Sequence, residues 1–194
     1  ARSTPFRDAA DYENYLKRLA EVPRVLAESR ALLEAGIRSG WMPPRAAMVR
    51  VPAQLAVFSG DDVTATQVFA PFKRFPATIP AAEQERLAQA GKKVLAERVH
   101  PAFGEYRRFI EEKYLPACRE DLAASSLPGG KAYYQMLVAT MTTTELSAAE
   151  IHEIGKQEVA RIRAEMDRVI ASTGFKGSFA EFLQFIRTDP RFFH

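Results

Sequence analysis

The spacing of the apolar residues constrains the fold of this chain more than any other feature of its sequence. Apolar side chains recur three and four positions apart over most of the 194 residues, whereas the alternation and the β-branched runs typical of strands are almost missing. Because a helix turns once every ~3.6 residues, this spacing places the apolar side chains on one face of each helix. The sequence therefore predicts an all-α fold, an array of long, kinked amphipathic helices.

The limits of the helices are predicted from the apolar stripes and from residues that start or stop helices. The predicted helices span approximately residues 11–21, 23–38, 45–59, 81–122, 131–141, 148–173 and 179–187. Ser147 and Ser178 are each followed three positions later by Glu, which is the pattern of a capping box. Pro52, Pro101 and Pro116 lie inside predicted helices, and since proline lacks the amide donor of a helical turn, we expect a kink or a division near each.

The proline-rich segment from Asp61 to Pro80 is predicted to be a connection held on the core by its aromatic residues. A chain of this length can form one domain with a sizeable core, or it can be part of a larger domain. The sequence thus predicts one helical domain over residues 1–194, or a fragment of a larger domain. Asp189 and Pro190 form a helix start just before the last residues, so we expect the natural polypeptide to continue.

Composition excludes several classes of protein. The net charge of +3, from 27 Lys and Arg against 24 Asp and Glu, is spread along the helices, whereas nucleic-acid-binding proteins concentrate basic residues in a patch or stripe. No apolar run approaches the roughly 18 residues that a membrane-spanning helix needs. The single cysteine, Cys118, excludes an internal disulfide and a cysteine-cluster metal site, and it is expected to be an ordinary helix residue.

The dipeptide His152-Glu153 resembles the start of the zinc helix of many metallopeptidases. That helix needs a second His four positions after the first, and this position holds Lys156. An ammonium group cannot replace a neutral imidazole as a zinc ligand. Gly129 and Gly130 likewise resemble the end of a phosphate-binding loop, but the remainder of that motif is missing. The sequence therefore predicts no catalytic residue and no metal ligand in this chain.

Three residues are candidates for contact with a substrate: Tyr133, Tyr134 and His152. The two tyrosines are adjacent, so they lie about 100° apart around a helix and cannot both face the same core. One of them is expected to point into a cleft or into another packing layer. His152 borders the apolar stripe of its helix, and the simpler interpretation is that it bonds locally.

Four segments, taken in order, resemble the bacterial family known as domain of unknown function 885. They are Asp11–Leu19 (DYENYLKRL), Leu127–Tyr134 (LPGGKAYY), Thr142–Gly155 (TTTELSAAEIHEIG) and Arg187–Phe192 (RTDPRF). The resemblance runs over the whole chain. None of the four segments is a catalytic signature.

This resemblance implies a family of much longer, largely helical bacterial proteins, often exported and related to zinc metallopeptidases of the gluzincin type. Their zinc helix, of the type His-Glu-x-x-x-Gly-His, lies downstream of the region represented here, so zinc is implied for the longer proteins and no ligand can be carried over to this chain. The chain begins with Ala1 rather than Met. That start is compatible with the removal of an export signal, which leaves the compartment open.

The leading hypothesis from the sequence is a non-catalytic helical portion of a zinc-dependent peptidase or carboxypeptidase-like hydrolase. Its partners would be the remainder of its own polypeptide, against which it forms one wall of the cleft, and a peptide substrate. The alternative is a stand-alone helical interaction or scaffold module that binds a protein partner through exposed apolar surface. A third interpretation, a small-ligand site between helices, rests on the two tyrosines alone.

Overall fold

The computed structural model describes residues 5–60 and 62–193, and the regular structure within them is helical. The all-α prediction is confirmed. Asp61, the first residue of the predicted connection, lies outside the described residues, as do Ala1 and His194. Contacts within the chain divide it between Gly130 and Lys131 into two compact units, where the sequence predicts one domain or a fragment of a larger one.

The helices of the first unit follow the apolar stripes of the sequence. They are α1 (Ala9–Ala20), α2 (Val22–Ser39), α3 (Arg45–Met48), α4 (Val51–Ala56), α5 (Ala81–Val94), α6 (His100–Phe109) and α7 (Leu115–Ala117). Asp8 caps α1, because its side chain accepts a hydrogen bond from the Asp11 amide at 3.0 Å. Pro52 lies in the first turn of α4, where no amide donor is needed, so the predicted helix 45–59 consists of two short helices.

Two prolines also shape the long helical stretch after Pro80. A π-helical segment, Leu95–Val99, lies between α5 and α6, and Pro101 follows in the first turn of α6. A second one, Ile110–Tyr114, precedes α7 in the same way, with Pro116 in the first turn. A proline ring collides with the carbonyl four residues before it in an α-helix. The wider π turn keeps the helix continuous in spite of that collision.

The predicted helix 81–122 is wrong at its carboxyl end, since the last helical residue is Ala117. Cys118 follows with an extended backbone (ψ 143°), so it is not the helix residue that the sequence predicts. The amide of Arg45 donates to the carbonyl of Arg119 at 2.7 Å, and the Arg119 guanidinium donates to the Met42 carbonyl at 2.9 Å. These bonds to a distant segment hold the chain extended where a local pattern favours a helix.

Two apolar clusters form the core of the first unit. The larger cluster contains Tyr12, Tyr15, Leu19, Phe69, Phe72, Ile79, Leu87, Leu95 and Val99, and the smaller contains Met42, Phe109, Ile110, Tyr114 and Cys118. The Tyr12 hydroxyl donates to the Arg74 carbonyl at 3.0 Å, and the Tyr15 hydroxyl to the Val68 carbonyl at 3.0 Å. The connection before α5 is therefore held by buried aromatic residues, as predicted.

The second unit contains α8 (Gly130–Thr142) apart from its first residue, α9 (Ala148–Ser172) and α10 (Phe179–Thr188). Both predicted capping boxes are formed, and in the first of them the Ser147 amide donates to Glu150 Oε2 at 2.8 Å. Ile170 is the only buried residue between positions 131 and 193. In the part of the chain that the structure describes, no helix is both long enough and apolar enough to cross a bilayer.

Candidate functional site

A shallow groove along α9 contains His152, one of the predicted substrate-binding residues. All residues that line the groove lie on α9 at helical spacing: His152, Gly155, Lys156, Val159, Ala160 and Arg163. Gly155 lies in open surroundings, since a Cβ atom at that position would meet nothing within 4 Å. Small-molecule sites enclose most of their ligand. A groove with one wall becomes such a site only when a second surface covers it.

The charged residues of this groove are engaged with exposed partners on their own unit. Lys156 Nζ donates to Glu153 Oε2 at 3.0 Å, and Arg163 Nε donates to Asp167 Oδ1 at 3.1 Å. The Arg163 guanidinium also lies 3.9 Å from the centroid of the Phe179 ring. Exposed ion pairs of this kind contribute little to stability and exchange readily. Lys156 and Arg163 can therefore turn toward an anionic group without a large loss in stability.

The donor side chains that the structure describes do not fit a zinc ion. Within residues 5–60 and 62–193 there is no cluster of three or more His, Cys, Asp or Glu side chains that could hold a metal. On α9 the position where a second imidazole would be needed holds Lys156, whose ammonium group is paired with Glu153. Zinc prefers neutral imidazole, thiolate or carboxylate ligands. No step of a metal-dependent reaction is therefore assigned to these residues.

The structure places Tyr133 and Tyr134 on α8, and neither of them lines the α9 groove. Tyr133 is half-buried, whereas Tyr134 is 45% exposed. This difference follows from their angular offset on the helix, and it makes Tyr134 the residue that points away from the packing of the unit. The structure therefore does not bring the two tyrosines and His152 together in one cavity.

Gly130, which the sequence relates to a phosphate-binding loop, has a packing role at the start of α8. A Cβ atom at this position would lie 2.3 Å from the carbonyl oxygen of Ala124 and 2.8 Å from the carbonyl carbon of Ser125. The loop backbone thus passes directly against the first residue of the helix. The glycine is required by this close approach.

Cys118 is buried in the smaller core cluster and its thiol donates to the carbonyl of Tyr114 at 3.3 Å. Burial raises the pKa of this thiol above its ordinary value. The reactive form of cysteine is the thiolate, and burial disfavours it. The position of Cys118 therefore agrees with a structural role.

A cavity of about 540 Å³ in the first unit was not predicted from the sequence. It lies between Ser59 and Gly60, just after α4, and the outer side of α6 with the π-helical segments that flank it. His100 joins the two walls, since its Nδ1 atom lies 2.9 Å from the Gly60 carbonyl oxygen. These residues are 40 positions apart, so no local motif signals the cavity.

One known protein family matches the chain over its whole length. Residues 1–194 match the family described as "Bacterial protein of unknown function (DUF885)". The chain belongs to the DUF885 family. A comparison with curated proteins finds no match.

Among solved structures, this DUF885 chain is similar to the crystal structure of a protein described as the "putative lipoprotein from Colwellia psychrerythraea". The TM-score is 0.78 and the sequence identity is 22%. The match covers 97% of this chain and 33% of the other one. At this identity the likeness shows the fold alone. The DUF885 chain spans about a third of the length of that neighbour.

Proposed function

We propose that this chain is a non-catalytic helical portion of a larger zinc-dependent peptidase or carboxypeptidase-like hydrolase. The observation that carries the proposal is the outward-facing apolar stripe of α9. Its members are Ile154, Ile162, Met166 and Val169, each between 43% and 61% exposed. Every residue from His152 to Val169 is exposed, so no element of the second unit covers this stripe.

An amphipathic helix in a complete domain buries its apolar stripe against a neighbour. A row of exposed apolar side chains along one helix face is typical of a surface that contacts further protein. The match to about a third of a longer protein supports the same proposal, because such a protein has additional polypeptide available to cover the stripe. The proposed partner is therefore the remainder of the same polypeptide.

The hydrolase part of the proposal comes from the resemblance to the DUF885 family, which implies a relation to zinc metallopeptidases. In that arrangement the α9 groove would supply one wall of the substrate cleft. His152, Lys156 and Arg163 lie on its surface and can contact the backbone or the terminal carboxylate of a peptide. Tyr134 on α8 presents an exposed aromatic ring for a second contact.

Peptide hydrolysis by two purified proteins tests this proposal. The 194-residue chain alone should show no zinc-dependent hydrolysis of a mixed peptide substrate. A longer DUF885 polypeptide that carries the His-Glu-x-x-x-Gly-His sequence should hydrolyse it and should lose the activity with a chelator. Zinc-dependent hydrolysis by the 194-residue chain alone would falsify the non-catalytic role.

The exposed stripe also favours a second candidate, a stand-alone scaffold module that binds a different protein. The two functions differ in what covers α9. If the module interpretation is correct, pull-down of the full natural polypeptide should recover another protein through the α9 stripe. If the leading proposal is correct, the stripe is protected from hydroxyl-radical labelling in that polypeptide and is labelled in the 194-residue chain.

The proposal includes export from the bacterial cytoplasm. Support comes from the resemblance to often exported proteins and from the description of the structural neighbour as a lipoprotein. Fractionation of cells that express the natural gene should place the protein outside the cytoplasm. Recovery in the cytoplasmic fraction alone would contradict this part.

A further inference from the structure

Three buried polar atoms in the first unit have no hydrogen-bond partner, and all three belong to residues that line the cavity beside α6. They are Ser59 Oγ, His100 Nε2 and Arg107 Nε. In the described part of the chain, no other buried side-chain nitrogen or oxygen lacks a partner. A buried polar atom without a partner loses the hydrogen bond that water would give it, so such atoms are rare. Their concentration around one cavity indicates a site that a ligand completes.

The chemistry of the three atoms specifies complementary groups on the ligand. The Gly60 carbonyl can only accept, so His100 Nδ1 carries a hydrogen, and in the tautomer with its hydrogen on that atom Nε2 is an acceptor. Arg107 Nε is a charged donor, and at 3.8 Å from Glu111 Oε1 it is too distant for a hydrogen bond. The Ser59 hydroxyl can act either way. The ligand must therefore offer an anionic acceptor to Arg107 and a donor to His100.

The charged side chains around the cavity narrow the class of ligand further. Arg108 lines the cavity together with Glu105, Glu111 and Glu112. Three carboxylates against two guanidinium groups disfavour a dianion such as phosphate, and they favour a single negative charge with a positive or neutral donor close to it. The cavity volume of about 540 Å³ lies in the range of small-molecule sites. The π-helical segments on both sides of α6 agree with this, because such segments are frequent at functional sites.

We propose that this cavity binds a small α-amino or α-hydroxy carboxylate. The carboxylate accepts from Arg107 Nε, and the amino or hydroxyl group donates to His100 Nε2 and bonds to Ser59. Because the three atoms are covered in the structure, the exposed side chain of Arg108 moves aside when the ligand enters. The proposed site is independent of the peptidase proposal and lies wholly within the first unit.

An NMR titration of the isotope-labelled 194-residue chain tests the site with four probes. L-alanine carries both groups with an amino donor, L-lactate carries both with a hydroxyl donor, acetate lacks the donor, and ethanolamine lacks the carboxylate. Alanine, lactate or both should shift the His100 ring and Arg107 Nε–H signals with saturation, and the stronger of the two identifies the donor. Equal binding of acetate, or no saturable shift with any probe, overturns the proposal.

Substitutions locate the site. Arg107→Lys keeps the charge but removes the Nε–H group, and the loss of a charged hydrogen bond should weaken binding about tenfold or more. His100→Asn keeps a donor toward Gly60 and removes the Nε2 acceptor. Gly104→Leu places a large side chain in the cavity. A Cβ atom at position 104 would lie 4.0 Å from Ser59 Cβ, so the start of that side chain fits.

The matched control is Arg98→Lys, since Arg98 is exposed on the π-helical segment before α6 and does not line the cavity. It should bind the preferred probe like the original chain. Thermal unfolding of each variant shows that it is folded. Unchanged binding by folded Arg107→Lys and Gly104→Leu proteins contradicts the assigned site.

Discussion

Single residues of the same type have different roles in this chain, and the glycines inside helices show it best. Gly91 on α5 is buried, and a Cβ atom there would lie 2.8 Å from the ring of Phe72. Gly155 on α9 is exposed, and a Cβ atom there would meet nothing within 4 Å. The first glycine is required by packing with an aromatic core residue. The second carries only the conformational freedom of glycine in a helix.

Alanine substitutions at these two positions should therefore change stability in opposite directions. We expect Gly91→Ala to lower the free energy of unfolding by about 1–3 kcal/mol, because the methyl group overpacks the core. Gly155→Ala should raise it by about 0.5–1 kcal/mol through the higher helix propensity of alanine. Urea unfolding of both variants measures this. The same sign for both changes would show that the ring of Phe72 moves away without cost.

The buried tyrosines predict how stability depends on alkaline pH. Burial raises the pKa of Tyr12 and of Tyr15 above that of an exposed tyrosine, which is about 10. Because the folded pKa lies above the unfolded pKa, the stabilisation is complete below about pH 10 and is lost as the pH rises through the folded value. Each hydroxyl also donates to a backbone carbonyl.

The variant Tyr12→Phe should therefore be less stable at pH 7, by about 1 kcal/mol for the lost hydrogen bond. It should lose less stability than the original chain between about pH 9 and pH 11, around the unfolded pKa of about 10, because one ionisable buried group is gone. Urea unfolding at several pH values measures both effects. Parallel pH profiles for the two proteins would show that the pKa of Tyr12 is the same in the folded and unfolded states.

At the scale of helices, the sequence predicts what neighbouring residues determine and fails where distant ones decide. The starts of α9 and α10 follow from Ser147 and Ser178, whose partners lie three positions away. The end of α7 was predicted too late because the Arg119 side chain bonds to Met42, which is 77 positions away. The cavity beside α6 was missed for the same reason, since its two walls meet through the hydrogen bond between His100 and Gly60, which are 40 positions apart. Tyr133, Tyr134 and His152 stay untested as substrate contacts.

The capping box of α9 provides a prediction for a whole helix. The Ser147 side chain accepts from the Glu150 amide at 3.3 Å, and the Glu150 carboxylate accepts from the Ser147 amide at 2.8 Å. We expect Ser147→Ala to destabilise the first turn by about 1 kcal/mol. Amide hydrogen exchange should accelerate in that turn and stay unchanged near Ser172. Uniform acceleration along α9 would mean that the cap stabilises the entire helix.

The same contacts make the start of α9 sensitive to acid. The hydrogen bonds from Ser147 lower the pKa of Glu150 below its ordinary value. A lowered folded pKa means that the stabilisation is present above the unfolded value, about 4.3, and is lost as the pH falls through the folded value. Amide hydrogen exchange in the first turn, corrected for the intrinsic dependence of exchange on pH, should therefore become faster below about pH 4 in the original chain. In Ser147→Ala this additional increase should be smaller.

At the scale of the molecule, the two units differ in how completely each buries its own apolar side chains. The first unit has two buried clusters, whereas the second buries Ile170 alone among residues 131–193. The long helix α9 has the length and the stripe of a core helix but not its burial. Exposed ion pairs, such as that of Lys156 with Glu153 at 3.0 Å, lie on its other faces. The surface of the second unit is thus suited to packing against further polypeptide.

An exposed apolar stripe should also make the 194-residue chain associate with itself when nothing covers α9. We expect Ile162→Glu to abolish this association, because it places a charge in the stripe. It should leave the free energy of unfolding almost unchanged, since Ile162 is 43% exposed. The control Ala164→Glu adds the same charge about 200° around the helix from Ile162, outside the stripe, and should associate like the original chain. Sedimentation at increasing protein concentration compares the three proteins. If all three proteins are monomeric at every concentration, the exposed stripe does not drive association of this chain.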